Sequence, residues 1–163
     1  MLQRVKFTVF TSVFLDDQVI QLFITDVSFR FYLVLISPPL LILKECSFKK
    51  TSDTTGLRVF WGGNLRLANC HACCRRWYFT FNGAECSTPA PIDGIVYMIH
   101  GSSWKKNLHR VRHIEGVCEK INKGTVRVGF WVGNCAGHKS ADACTGWRSV
   151  SRIYVEEVPP PQA

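Results

Sequence analysis

All eight cysteines of this 163-residue chain lie between Cys46 and Cys144, and they limit its fold more than any other feature. Cysteines this dense in a short domain read as a disulfide framework in an oxidising compartment. The disulfide candidates are Cys46, Cys70, Cys73, Cys74, Cys86, Cys118, Cys135 and Cys144. Eight cysteines allow too many connectivities for the sequence to choose among them. Neighbouring side chains on extended backbone point to opposite faces, so Cys73 and Cys74 are expected to have different partners. One would tie the core, the other a loop or a neighbouring chain. Two rival chemistries attach to Cys70-His71-Ala72-Cys73-Cys74. The Cys-x-x-Cys spacing suits a zinc knuckle, but a structural zinc site ordinarily has a second such pair, and none follows. A redox Cys-x-x-Cys opens a helix in a βαβ setting, whereas this one precedes a strand pattern.

Glycine follows the cysteines. Residues 1–43 contain neither Cys nor Gly, and their three basic and three acidic residues cancel. All twelve glycines and the whole +8 charge belong to the remainder, which places a boundary near Leu43/Lys44. The domain is therefore read as residues 44–158, followed by a disordered proline-rich tail at 159–163. The longest uncharged run of the first segment, Phe31 to Leu43, is 13 residues and contains Pro38-Pro39. A membrane-spanning helix needs about 20 apolar residues, so this run is a poor candidate. Nor do residues 1–43 show one apolar core and a small-residue cleavage site, as a secretory signal does. They are read as an artefact of exon assignment, with an amino-terminal strand pair as the alternative.

The remainder alternates like many short strands. Leu57–Trp61 runs into Gly62-Gly63-Asn64, a turn signal. Arg76–Phe81 places Trp77, Phe79 and Phe81 on one face and stops at Asn82-Gly83, a hairpin dipeptide. Residues 92–99 are apolar on both faces, the pattern of a buried central strand. Residues 125–132 turn Val126, Val128, Phe130 and Val132 inward and Arg127 and Trp131 outward, and residues 150–155 turn Ile153 and Val155 inward. Only Ile114–Ile121 has a weak helical pattern. Strands punctuated this regularly predict an all-β sandwich.

Arg76-Trp77-Tyr78-Phe79-Thr80-Phe81-Asn82-Gly83-Ala84-Glu85-Cys86 resembles the central motif of the collagen triple helix repeat-containing protein 1 family. So does Thr145-Gly146-Trp147-Arg148-Ser149-Val150-Ser151-Arg152-Ile153. Leu57-Arg58-Val59, Asn64–Leu67, Ile114–Glu119 and Trp131–Cys135 fall in the same order, and the likeness runs from about Glu45 to Glu157. It implies the carboxy-terminal globular domain of a secreted extracellular-matrix protein. The implied fold is a jelly-roll-type β-sandwich like that of the complement and tumour-necrosis-factor superfamily, disulfide-stabilised and assembled as a homotrimer. The implied roles are modulation of Wnt/Frizzled signalling through receptor components of that type, cell migration and restraint of collagen deposition. This chain departs from the family pattern in several places. It has no collagen-like stretch. Cys70 stands one position later than usual, and Cys144 replaces a usual Ser. The loop from Gly101 to Arg112 is short and, like the rest of the chain, has no Asn-x-Ser/Thr acceptor.

No nucleophile elbow, zinc-protease helix, phosphate loop or dinucleotide fingerprint occurs, so no enzyme, cofactor or resident metal is expected. The excess of basic residues points instead to acidic partners. Its densest run, Lys105-Lys106-Asn107-Leu108-His109-Arg110-Val111-Arg112-His113, makes Lys105, Lys106, Arg110 and Arg112 the polyanion-binding candidates. Arg110 and Arg112 would share one strand face and suit the spaced sulfates of heparan sulfate. The plainer reading is an edge strand that carries charge against aggregation. Nucleic acid is not expected, because no stacking aromatics interleave the run. Trp131, turned away from the core residue Phe130, is the subunit-interface candidate. The expected function is thus binding, outside the cell. The alternatives are a heparan-sulfate-binding matrix module without a receptor role, and an intracellular zinc or thiol protein.

Overall fold

The structure is a computed structural model that describes residues 5–15, 18–25, 28–31, 41–68, 70–99, 109–138 and 141–160. Residues 5–15, 18–25, 28–31 and 41 are described by their backbone alone. Among the described residues there are twelve strands and no helix. They form two antiparallel sheets packed face to face, a disulfide-stabilised β-sandwich of the kind the alternation predicted.

The long strand β5 (Gly56–Ala68) organises the first sheet. The strand β9 (Arg110–Cys118) lies along one edge of β5, from Leu57 to Leu65. Along its other edge come β12 (Val150–Val158) and then β11 (Asp142–Thr145). The strands β1 (Val5–Leu15), β2 (Gln18–Thr25) and β3 (Ser28–Phe31) extend this sheet outward from β12. The second sheet is built around β10 (Gly124–Asn134), flanked by β4 (Leu41–Lys50) and β6 (Cys73–Phe81). The far edge of β6 pairs with β8 (Asp93–Met98) and then with the short β7 (Ala84–Glu85). The strand β4 crosses the composition break at Leu43/Lys44, and Leu43 is buried in the core.

The alternation in β6, β10 and β12 is realised in the core. Trp77, Phe79, Phe81, Val126, Val128, Phe130, Val132, Ile153 and Val155 are all buried. Phe130 is the centre of an aromatic cluster, stacked on Trp61 at 5.1 Å between centroids and tilted against Phe79 at 4.8 Å. Such pairs add to the free energy already gained from apolar burial. The buried indole N–H of Trp77 donates to Thr145 Oγ1 at 2.8 Å, which ties the second sheet to β11 of the first. Asn82 (φ 53°) and Gly83 (φ 90°) make the hairpin turn between β6 and β7. Arg127 N–H donates to Asn82 Oδ1 at 2.9 Å, anchoring that turn to β10.

Three local expectations are corrected. Gly62-Gly63-Asn64 is not a turn, because β5 continues through it to Ala68. A Cβ at Gly63 would stand 2.5 Å from Ser151 Oγ, and one at Gly62 would stand 2.8 Å from the Phe60 ring. These glycines serve close packing rather than chain reversal. Ile114–Ile121 is not helical: its first five residues complete β9, where pairing with β5 overrides a weak local preference. Residues 92–99 do not form a central strand. β8 pairs with β6 alone, and its outward side chains Ile95 and Tyr97, with Ile99 just past its end, are 52–60% exposed.

Candidate functional site

Where the free edges of the two sheets meet, β8 faces β5 and β9. At one end the edges interlock. A Cβ at Gly94 would lie 2.9 Å from Ile114 Cδ1, and one at Gly116 would lie 2.8 Å from Ile92 Cγ1. Two residues beyond Ile114 the spacing opens into a groove of about 320 Å³, lined by Leu65, Leu67, Val96, Tyr97, Met98, Ile99, Arg110 and Arg112. Arg110 and Arg112 lie opposite Leu65 and Gly63 of β5. They continue the inward-facing row of Ile114 past the end of the core, where their side chains reach solvent. They therefore share one face, as their spacing predicted. Among the described residues no carboxylate forms an ion pair with either one. The result is an apolar floor with two guanidinium groups on its rim, a setting for charge-assisted bonds to carboxylate or sulfate. Lys105 and Lys106 lie outside the described residues. Sequence reasoning missed the apolar lining, because it had placed residues 92–99 in mid-sheet.

Next to the groove, His109 stacks on Trp147 with ring centroids 4.4 Å apart, and Arg148 lies over the same indole at 5.1 Å. Burial, then the nearby Arg66 guanidinium, holds His109 below the usual imidazole range. Arg66 itself pairs with Asp142 at 2.8 Å.

The outer face of the second sheet carries Trp131. Its indole N–H donates to Thr80 Oγ1 at 2.8 Å, and its ring covers Gly129. Trp131 is partly buried by its own sheet and lies opposite Tyr78 on β6 and Ile42 on β4. Arg76 reaches Glu85 and Asp93 from β6 and lies over the Tyr78 ring at 4.7 Å. Hydrogen bonding to Arg76 holds the Glu85 carboxyl below the usual range. This fixed ionic cluster adjoins the exposed Ile95 and Tyr97.

Three disulfides are formed: Cys70–Cys73, Cys74–Cys135 and Cys86–Cys118. Cys73 and Cys74 have different partners, as alternation required, and Cys73 ties a loop. The bond also occupies both thiolates of the Cys-x-x-Cys pair that zinc would need. Two disulfide candidates are corrected. Cys46 and Cys144 belong to no disulfide: Cys46 lies opposite Val128 on the core-facing side of its sheet, whereas Cys144 lies opposite Arg66, on the face turned away from the buried Leu65 and Leu67. Burial pushes the Cys144 thiol up to about 11. Among the described residues no three His, Cys, Asp or Glu side chains are grouped to hold a metal.

Residues 39–155 match the family model described as CTHRC1, C-terminal domain. The chain belongs to this family. The matched range contains all eight cysteines and both arginines of the groove, and the first 38 residues lie outside it. At family level a CTHRC1 C-terminal domain is a domain of a secreted matrix protein, and the three disulfides fit an extracellular setting. The CTHRC1 C-terminal domain is not a known enzyme family.

Proposed function

We propose that this domain works in the extracellular matrix by non-catalytic binding, and that the groove between β8 and β9 receives the anionic groups of a sulfated glycan such as heparan sulfate. The observation that carries this reading is the pair Arg110 and Arg112, exposed on one face of an edge strand above an apolar floor. Side chains two apart on a strand are separated by roughly 7 Å, and each guanidinium offers a planar fork of donors to one anionic group. The net charge of +8 favours encounter with a polyanion. On an immobilised heparin column the Arg110→Ala, Arg112→Ala double variant should elute at clearly lower salt than the parent chain. Elution at unchanged salt removes these residues from the site.

A receptor role rests on family resemblance: modulation of Wnt-type signalling through Frizzled-type receptor components, with effects on cell migration and collagen deposition. Homotrimer assembly has the same basis, and the apolar surface around Trp131, Ile95 and Tyr97 supports it. Immobilised Frizzled-type ectodomain should capture the chain at physiological salt. Failure to bind would leave the glycan-binding module without a receptor role.

A further inference from the structure

Of the three disulfides, two are shielded and one is not. In Cys74–Cys135 and Cys86–Cys118 both cysteines are buried, whereas in Cys70–Cys73 only Cys73 is buried and Cys70 is partly exposed beside the exposed His71. The shielded bonds join residues 61 and 32 positions apart: one ties β6 to the segment after β10, the other ties the segment after β7 to the end of β9. A thiol reaches them only by opening the sandwich. Cys70–Cys73 closes a loop spanning three positions, and Cys73 sits with Leu67 and Ala141 in a small buried cluster separate from the main core. Ala72 inside that loop has φ 50°, a left-handed backbone unfavourable for an L-residue with a side chain, so opening the ring lets it relax. A disulfide with one sulfur within reach of solvent is the exchangeable kind.

We propose that Cys70–Cys73 is a thiol-exchange site that accepts an external thiol of the glutathione class while the fold stays intact. The incoming thiolate attacks Cys70 Sγ. A new sulfur–sulfur bond forms there, the Cys70–Cys73 bond breaks, and Cys73 leaves as a thiolate that takes a proton from water. A second thiolate attacks the mixed disulfide and frees Cys70. Two external thiols are thereby oxidised to their disulfide, and the protein disulfide is reduced by two electrons. The vicinal Cys74 does not resolve the intermediate, because it faces away and is held by Cys135. Cys73 lies opposite Met98 and packs with Leu67 and Ala141, so exchange acts on the wall of the groove.

The test treats the full oxidised chain with increasing reduced glutathione, traps thiols by alkylation and locates them by tandem mass spectrometry within Leu67–Arg75. The expected result is glutathione on Cys70, then alkylation of Cys70 and Cys73, at about tenfold or more lower thiol than either other bond, equal to roughly 60 mV at fixed glutathione disulfide because two thiols are consumed per bond. Opening of Cys74–Cys135 or Cys86–Cys118 at the same or lower thiol overturns the proposal. So does a mixed disulfide confined to Cys73. The Cys70→Ser, Cys73→Ser double variant should keep its strand signal and lose the low-thiol step. Its failure to fold would show that the bond is structural and overturn exchange on the intact fold. None of these outcomes depends on glycan binding.

Discussion

Glu157 should give this domain an acid-sensitive clamp. Its carboxylate, on β12, accepts the backbone N–H groups of Thr51 and Ser52, both at 2.9 Å, and the hydroxyls of Thr51 at 2.8 Å and Thr55 at 2.5 Å. The same loop holds the buried Lys50, whose ammonium donates to Ser52 O and to Thr55 Oγ1. Burial alone would raise the carboxyl, but the hydrogen bonds outweigh it and lower the group from 4.5 to about 2. A folded-state value below the unfolded one stabilises the fold above about pH 4.5, and that contribution is lost as pH falls towards 2. At about 1.4 kcal/mol per pH unit the drop corresponds to ~3 kcal/mol, and solvent screening of this partly exposed group cuts that to about 1–2 kcal/mol. Glu157→Gln keeps the shape and one acceptor oxygen and removes the charge. At pH 7 it should lower the melting temperature by about 3–6 °C for a chain of this size. Urea unfolding of parent and variant at pH 7, 4.5 and 2.5 should give a stability gap that narrows below 4.5 and falls to roughly a quarter at 2.5. A gap of constant size across that range would show that packing, not the carboxylate charge, carries the effect, and would refute the reasoning.

Other expectations are more local. Phe130→Ala empties the centre of the aromatic cluster and should cost about 3–5 kcal/mol in urea unfolding; a loss below 1 kcal/mol would contradict its central place. Gly129→Ala puts a methyl group 2.6 Å from Trp131 Nε1 and 2.7 Å from Thr80 Oγ1, so the indole N–H resonance of Trp131 should shift; an unchanged resonance refutes that packing. For the full chain, light scattering should give the mass of three copies, and Trp131→Ala should lower it towards one. A parent monomer contradicts the trimer, and a trimer unchanged in the variant removes Trp131 from its interface.

Strand faces were legible in the sequence wherever one side of a strand is buried and the other is not. Period-two alternation alone placed Trp77, Phe79 and Phe81, and Val126, Val128 and Phe130, in the core. It also separated the partners of Cys73 and Cys74 and put Arg110 and Arg112 on one face. It failed where the deciding neighbour is far along the chain. Gly62 and Gly63 read as a turn because nothing local shows Ser151 packed against them. Ile95, Tyr97 and Ile99 read as buried because apolarity does not distinguish a central strand from an edge. Which strand is an edge, which cysteine lies within reach of another, and whether two arginines border a core or a groove all depend on sheet order. Sheet order is set by long-range pairing, a property of the folded chain as a whole and not of any local window. Residue alternation therefore determined what each strand presents on either side, and tertiary structure alone decided what stands opposite it.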